Sequence, residues 1–431
     1  MYIFQFHYLI SERKKGISMK IINRDNFSFA GMQSFYWAGF CILFAYLTPY
    51  MYSLGYSNTQ VGIFTAIISL ASIIGQPVCG YICDRLRTVK SVIIFCLLLS
   101  SSLTVLFFFI GKSYWMLLIL STVIAFVFQA LYPIIDSWTV NAHVKNPNIN
   151  YGLTRGIGSI GYAATAAVVG VIFERHGYQW MFYLFILSAI ITSLCALLPR
   201  DVKPSSNMEE SKEKLRLNDL KYLFLNKEYF GFVLIVTIIY IAYKANSTFL
   251  PALMTKVGGT NADLGLAWSI LGLSEVPFIL ISGFLLKKYK DTSIIFIAML
   301  FFILRVGLPI FATNPTQLIW MTALQGLSYG LFLPASVHYI ARIVPKHLSN
   351  TAQTFAVALY SGLGITIAGV VGGLIADSLG IYSVYKLGAV VVIMMTICYK
   401  IMLVMLKNKG ELHEIQATSM TNNNAGVEEN L

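Results

Sequence analysis

The sequence predicts an all-α membrane protein whose twelve spanning helices form two pseudo-symmetric six-helix bundles. Three observations carry that expectation. The first is composition: of 431 residues, 57% are apolar and only 12% are charged, with a mean hydropathy of +0.70. A soluble domain carries about 25% charge, so this chain cannot clothe a soluble surface. The second is segmentation into twelve apolar stretches of roughly 20 or more residues, each long enough to cross a hydrocarbon core. The third is an internal repeat. Gly55, Asn58, Gly62 and Gly80 return as Gly258, Asn261, Gly265 and Gly283, each 203 positions later. Duplicated halves of this kind enclose a central polar site in alternating-access carriers.

Residues 1–26 form a basic N-terminal segment with Arg13, Lys14, Lys15, Lys20 and Arg24. They lack a cleavable signal pattern, and Met19 is an alternative start. The expected spans are 27–53, 59–83, 91–110, 114–142, 151–173 and 178–198 in a first bundle covering 27–198. In a second bundle covering 229–406 they are 229–255, 262–286, 292–312, 316–341, 349–376 and 380–405. Between the bundles, 199–228 is polar and basic and reads as a cytoplasmic linker. Residues 407–431 are rich in Asn, Thr and Glu and read as a disordered cytoplasmic tail.

The net charge of +12 does not point to nucleic acid, because the basic residues sit in short loops between apolar runs. Lys112, Arg175 and Lys256 stand alone on the side of the odd-numbered loops. Arg155, Lys244, Arg305 and Lys386 lie in or beside spans, and the rest of the 31 Lys and Arg fall on the other side. The positive-inside rule then places both termini in the cytoplasm, and the chain is expected in the cell membrane. The six cysteines form no CxxC pair, so neither a disulfide framework nor a metal site is expected. HExxH, Walker and GxSxG patterns are absent from the sequence; neither an enzyme nor a cofactor is expected.

Charges inside apolar helices mark function by default, since each costs at least about 2.5–3.5 kcal/mol to insert at the bilayer centre. Asp136 and Arg155 flank a turn whose midpoint falls at Lys145/Asn146, so antiparallel helices place them at nearly equal depth. The alternative reading is an ion pair that clamps the two helices. By the same construction Lys244, Glu275 and Arg305 share a depth about fifteen residues from their turns, roughly 20 Å along the helix. Lys244 can instead snorkel outward. Tyr36, Trp37, Tyr132, Tyr243, Asn246, Gln325 and Tyr329 are candidate cavity-lining residues, with Asn246 and Gln325 assigned to substrate. His338 and His347 are expected to face solvent near one end.

The loop Gly80-Tyr81-Ile82-Cys83-Asp84-Arg85-Leu86-Arg87-Thr88-Val89-Lys90 resembles the signature loop of the major facilitator superfamily. The resemblance implies that fold and a gating role for Gly80, Asp84 and Arg85. In the second half, Lys287 replaces the acid. The run Tyr151-Gly152-Leu153-Thr154-Arg155-Gly156-Ile157-Gly158-Ser159-Ile160-Gly161-Tyr162, preceded by Asp136, resembles the lactose-permease-like oligosaccharide:proton symporters and related phenylpropionate-permease-type carriers. That resemblance implies sugar-hydroxyl binding by Asp136 and Arg155 and ring stacking on Tyr162. It also implies a binding or coupling carboxylate at Glu275 and an arginine at Arg305 that influences proton release. Asp136 stands where galactoside carriers have Glu, and Tyr162 where they have Trp. Gln325 and Ser328 stand where those carriers place a titrating pair, leaving Asp136 and Glu275 as embedded proton carriers.

The expected function is proton-coupled uptake of a small polar solute, foremost a sugar or oligosaccharide. Nucleoside or aromatic-acid uptake, and efflux by antiport, are the alternatives. The expected partners are the solute, protons and the lipid bilayer, with the chain acting as a monomer.

Overall fold

The computed structural model describes residues 24–199, 201, 223–345 and 348–428. Most of the linker, the first 23 residues and His347 lie outside these. Twelve helices are long and apolar enough to cross a membrane. They are α1 Arg24–Ser53, α2 Asn58–Leu86, α3 Lys90–Phe108, α4 Tyr114–Lys145, α5 Tyr151–His176 and α6 Gln179–Leu197. The second half contains α7 Lys227–Thr248, α8 Asn261–Lys288, α9 Asp291–Phe311, α10 Pro315–Ile343, α11 Thr351–Leu379 and α12 Ile381–Leu406. No strand occurs among the described residues. Each expected span is matched by one helix with ends shifted by a few residues. The exception is the polar tail: α12 continues as helix to Glu428, because extending an established helix needs no new nucleus.

Local chemistry sets the helix ends. Ser57 with Gln60 and Thr260 with Asp263 form capping boxes that start α2 and α8, satisfying amide donors left over at a helix N-terminus. These two caps occupy matching places in the repeat. Large side chains such as Phe109, Trp115, Ile119 and Phe284 are exposed, forming the apolar outer belt that lipid must cover.

Among the described residues, five helices are interrupted; α11 carries a π-turn at Ala358–Leu363, and the other four interruptions correspond in the two halves. Helix α1 carries a π-turn at Cys41–Ala45, and α4 breaks between Phe128 and Leu131. Helix α7 breaks at Phe249 before a short continuation, Leu250–Lys256. Helix α10 carries a π-turn at Gly326–Gly330. Unlike the π-turn of α11, each of these four is followed by a proline, at Pro49, Pro133, Pro251 and Pro334. Its ring denies an amide donor to the carbonyl four residues earlier, and the helix yields there. Discontinuous helices of this kind line the central sites of carriers.

The halves meet along α2 with α11 and α5 with α8. A Cβ on Gly62 would overlap the Gly369 carbonyl, and one on Gly265 would overlap the Ala166 carbonyl. Only glycine permits those backbone approaches. The contacts begin at Asn58 and Asn261 but do not persist along the helices: a Cβ added at Gly80 or Gly156 would meet nothing within 4 Å. The buried cores show the same asymmetry. One apolar cluster joins the first half to Phe249, Leu264, Trp268, Ala376 and Tyr385 of the second. The remaining core of the second half, from Tyr229 to Tyr399, is separate. The molecule is therefore closed at the end bearing Gly55, Gly177, Gly258 and Gly380, and splayed at the end bearing Asp84.

Candidate functional site

Two polar clusters, one from each half, lie along the cleft. In the first, the glycines of α5 let α1 approach closely: a Cβ on Gly158 would press on Gln33 and Trp37, and one on Gly161 on Ser34. Gln33 and Trp37 are four residues apart and share a face of α1, where the Trp37 indole donates to Gln33 Oε1 at 3.2 Å. Gln33 in turn donates from Nε2 to Asp136 Oδ1 at 2.8 Å. Arg155 Nε stands 4.0 Å from the same oxygen, within ion-pair range but beyond hydrogen-bond length. Its guanidinium carbon lies 4.5 Å from the Trp37 ring centroid, and Nη1 donates to Ser159 at 3.1 Å. Asp136 is only 2% exposed, whereas the Arg155 side chain is 21% exposed. The carboxylate is buried, and the cation reaches the cleft.

The second cluster spans α7 to α10. Gln325 donates to Glu275 and lies 3.1 Å from the Tyr243 hydroxyl. Arg305 and Lys244 both approach the Tyr243 ring, at 4.7 and 5.1 Å from its centroid. Arg305, Lys244 and, across the cleft, Arg155 are all close enough to act on the charge of Glu275. Tyr162 bridges the clusters in space: its ring packs where α5 crosses α8 at Gly272, one turn from Glu275. Its hydroxyl reaches the Cys41 thiol.

The structure thus brings Asp136 together with Arg155, and Glu275 with Gln325. Asn246 lies apart from both pairs, lining a small cavity with Arg305. Gly80, Asp84 and Arg85 lie at the splayed end, where the Asp84 side chain makes no hydrogen bond or ion pair among the described residues. His338 is 55% exposed, as expected, but also binds Asp291 at 3.0 Å. Arg342 holds that same carboxylate through two bonds of 2.9 Å, tying α9 to α10. No group of His, Cys, Asp or Glu is placed to hold a metal among the described residues.

Sequence reasoning missed Gln33, and it missed the polar contacts at the closed end. Asp377 accepts from the Asn58 and Thr59 amides at 3.0 and 2.8 Å and from the Asn58 side chain at 2.8 Å. It caps α2 from the opposite half. Glu174 accepts from the Asn261 amide at 2.9 Å, and Tyr178 donates to the Asn261 side chain at 2.6 Å, capping α8 in the reciprocal sense. A signal existed. Gly170, Glu174 and Gly177 recur as Gly373, Asp377 and Gly380 at the same 203-residue offset.

Each cap is worth about 0.5–1 kcal/mol at an exposed helix start. Replacing both acids, Glu174→Ala with Asp377→Ala, is expected to shift the balance toward opening of this end by roughly 5- to 30-fold. Distances between spin labels at Ser53 and Ser378 check this. An unchanged distance distribution removes the caps from the gate.

Residues 27–387 match the MFS_1 like family. The chain is 25% identical over 331 residues to the maltose permease of Geobacillus stearothermophilus, covering 76% of this chain and 82% of that protein. It is 21% identical over 366 residues to the raffinose permease of Escherichia coli, covering 80% and 84%. The crystal structure of the nucleoside transporter NupG superposes with a TM-score of 0.76 at 16% identity, covering 89% of this chain and 99% of that one. That last likeness concerns the fold.

Proposed function

The chain belongs to the MFS_1 like family and is a multi-pass membrane transporter of the major facilitator superfamily; on that premise we propose proton-coupled uptake of a sugar or oligosaccharide by alternating access. The observation that carries this reading is the Asp136–Arg155–Trp37–Gln33 arrangement at the wall of a one-sided cleft. A sugar hydroxyl is both donor and acceptor. Asp136 takes its proton in a hydrogen bond, Arg155 donates to its oxygen, and a pyranose face stacks on Tyr162 or Tyr132. Arg155 is exposed enough to exchange its place over Trp37 for the solute. Glu275 faces the solute from the other half and carries the coupled proton, while Gln325, itself bonded to Tyr243, holds its side chain. Arg305 and Lys244 provide the positive field into which that proton is released. The sugar permeases among the relatives support this reading at the level of substrate class.

The excess of Lys and Arg on the side of the termini supports placing the splayed end in the cytoplasm, so the conformation described is inward-open. The cycle alternates between breaking the caps of Glu174 and Asp377 and closing the inner ends. There, Asp84 and Arg85 near the end of α2 come within reach of the opposite half.

The test is transport in proteoliposomes holding a pH-sensitive dye. Maltose or raffinose entry is expected to acidify the lumen and to accelerate under an inward proton gradient. Sugars that move no protons, with uridine moving them instead, would transfer the assignment to nucleosides. The near-parallel rings of Tyr243 and Tyr329, 6.2 Å apart, favour that second reading.

A further inference from the structure

We propose that the cavity between α7, α8, α9 and α10 is an anion site, in which Arg305 and Asn246 hold one small acceptor-only group, a halide ion or a carboxylate head. Arg305 is 4% exposed and Asn246 6% exposed. Arg305 Nη1 and Asn246 Nδ2 are both buried without a hydrogen-bond partner, and both residues line the same cavity. Its remaining walls include Leu250, Trp268, Pro309 and Leu318.

The polar groups left on the wall have already spent their protons. Ser247 donates to the Tyr243 carbonyl at 3.1 Å, and Thr322 donates to the Ala267 carbonyl at 2.9 Å. What the cavity still offers is two N–H donors, one of them charged. A guanidinium cannot shed its proton in a protein, so its charge must be met by an anion or remain unbalanced in an apolar setting. No carboxylate among the described residues comes within ion-pair distance of it. Arg305 forms no ion pair among the described residues; Glu275 acts on it only through space, and on Lys244 and Arg155 likewise, while its carboxylate accepts from Gln325. The ring of Tyr243 under the guanidinium offsets part of that charge but accepts no hydrogen bond from the unpaired Nη1.

Size narrows the ligand. The cavity measures about 30 Å³, room for roughly two waters by the same measure. A chloride or a single carboxylate head fits, and a sugar ring does not. The inference therefore stands apart from the sugar-binding reading and makes Arg305 and Asn246 a second, smaller subsite.

The test uses the full-length protein in detergent, exchanged into sulfate, whose four oxygens overfill the cavity. Chloride and acetate are then titrated separately, with the melting temperature as readout. A saturable rise of several degrees is expected, lost in Arg305→Gln and weakened at least tenfold in apparent affinity by Asn246→Leu. Lys386→Gln, which removes an exposed cation on α12, keeps the full response.

A response to chloride assigns the site to a free ion. A response to acetate alone assigns it to the carboxylate of a solute. Indifference to both anions, or a full response in Arg305→Gln, overturns the site. If Arg305→Gln does not fold, Asn246→Leu decides on the same criterion. Sugar transport measured on the same preparation separates the two readings: an absent anion response with intact sugar uptake defeats this site alone.

Discussion

Arg155→Ala is expected to abolish measurable solute binding while the protein still inserts and folds. The argument begins from exposure. Asp136 is almost fully buried and is already served by Gln33 at 2.8 Å, so its carboxylate keeps a hydrogen-bond donor when the arginine is gone. Arg155 reaches the cleft and stands 4.0 Å from Asp136, a separation that a ligand hydroxyl can bridge. Two charge-assisted hydrogen bonds lost at about 1.5–3 kcal/mol each correspond to roughly 10²- to 10⁴-fold in affinity. Arg155→Lys keeps the charge but not the planar fork, and is expected to recover only part of it. Calorimetric titration with maltose, beside a membrane-insertion assay, checks both. Normal affinity in Arg155→Ala would reduce the pair to a clamp between α4 and α5. Lost insertion in Arg155→Ala with normal insertion in Arg155→Lys would show that the charge serves folding as well.

The fold was legible because its signals are redundant. Each span has enough apolar residues to be recognised alone, and the repeat independently relates one half to the other. The site was legible only where charge made it conspicuous. Asp136, Arg155, Glu275 and Arg305 stand out because embedded charges are costly. Gln33 did not, since an uncharged amide four residues before a tryptophan looks like ordinary packing until Asp136 is placed beside it. Four of the helix breaks had a cause visible in advance, their prolines, but the π-turn of α11 has none, and proline alone does not say whether a helix kinks, ends or carries a π-turn. Asp377 and Glu174 sit at helix ends, where an acid reads as a solvated charge. Their role depends on the opposite half being within 3 Å, which no local pattern reports. Asn246 was grouped with the solute ligands by residue type. Its position in the Arg305 cavity depends on which residues of α8, α9 and α10 face that part of α7, which residue type does not report.

Glu275→Gln is expected to abolish uphill accumulation while preserving downhill exchange. The substitution keeps side-chain length and a hydrogen-bonding group, so Gln325 can turn its amide to match, and the contact with Tyr243 and the packing of α8 against α10 survive. What it removes is the only carboxylate, among the described residues, in a cluster that also holds Arg305 and Lys244. Without it, no proton can be taken up and released at that position. One proton per solute supports about tenfold accumulation per pH unit of gradient, and that factor is expected to fall to unity. Exchange of labelled for unlabelled sugar at equal pH should remain within a few-fold of the wild type. Asp136 is the competing carrier, and Asp136→Asn separates the two. If uphill transport survives Glu275→Gln but fails in Asp136→Asn with sugar binding intact, the proton travels with the first half. If each single variant accumulates and only the double variant fails, either carboxylate can carry the proton. Loss in Glu275→Gln alone places binding and coupling in opposite halves, so that closing the cleft around the sugar is what brings the proton site and Arg155 into register.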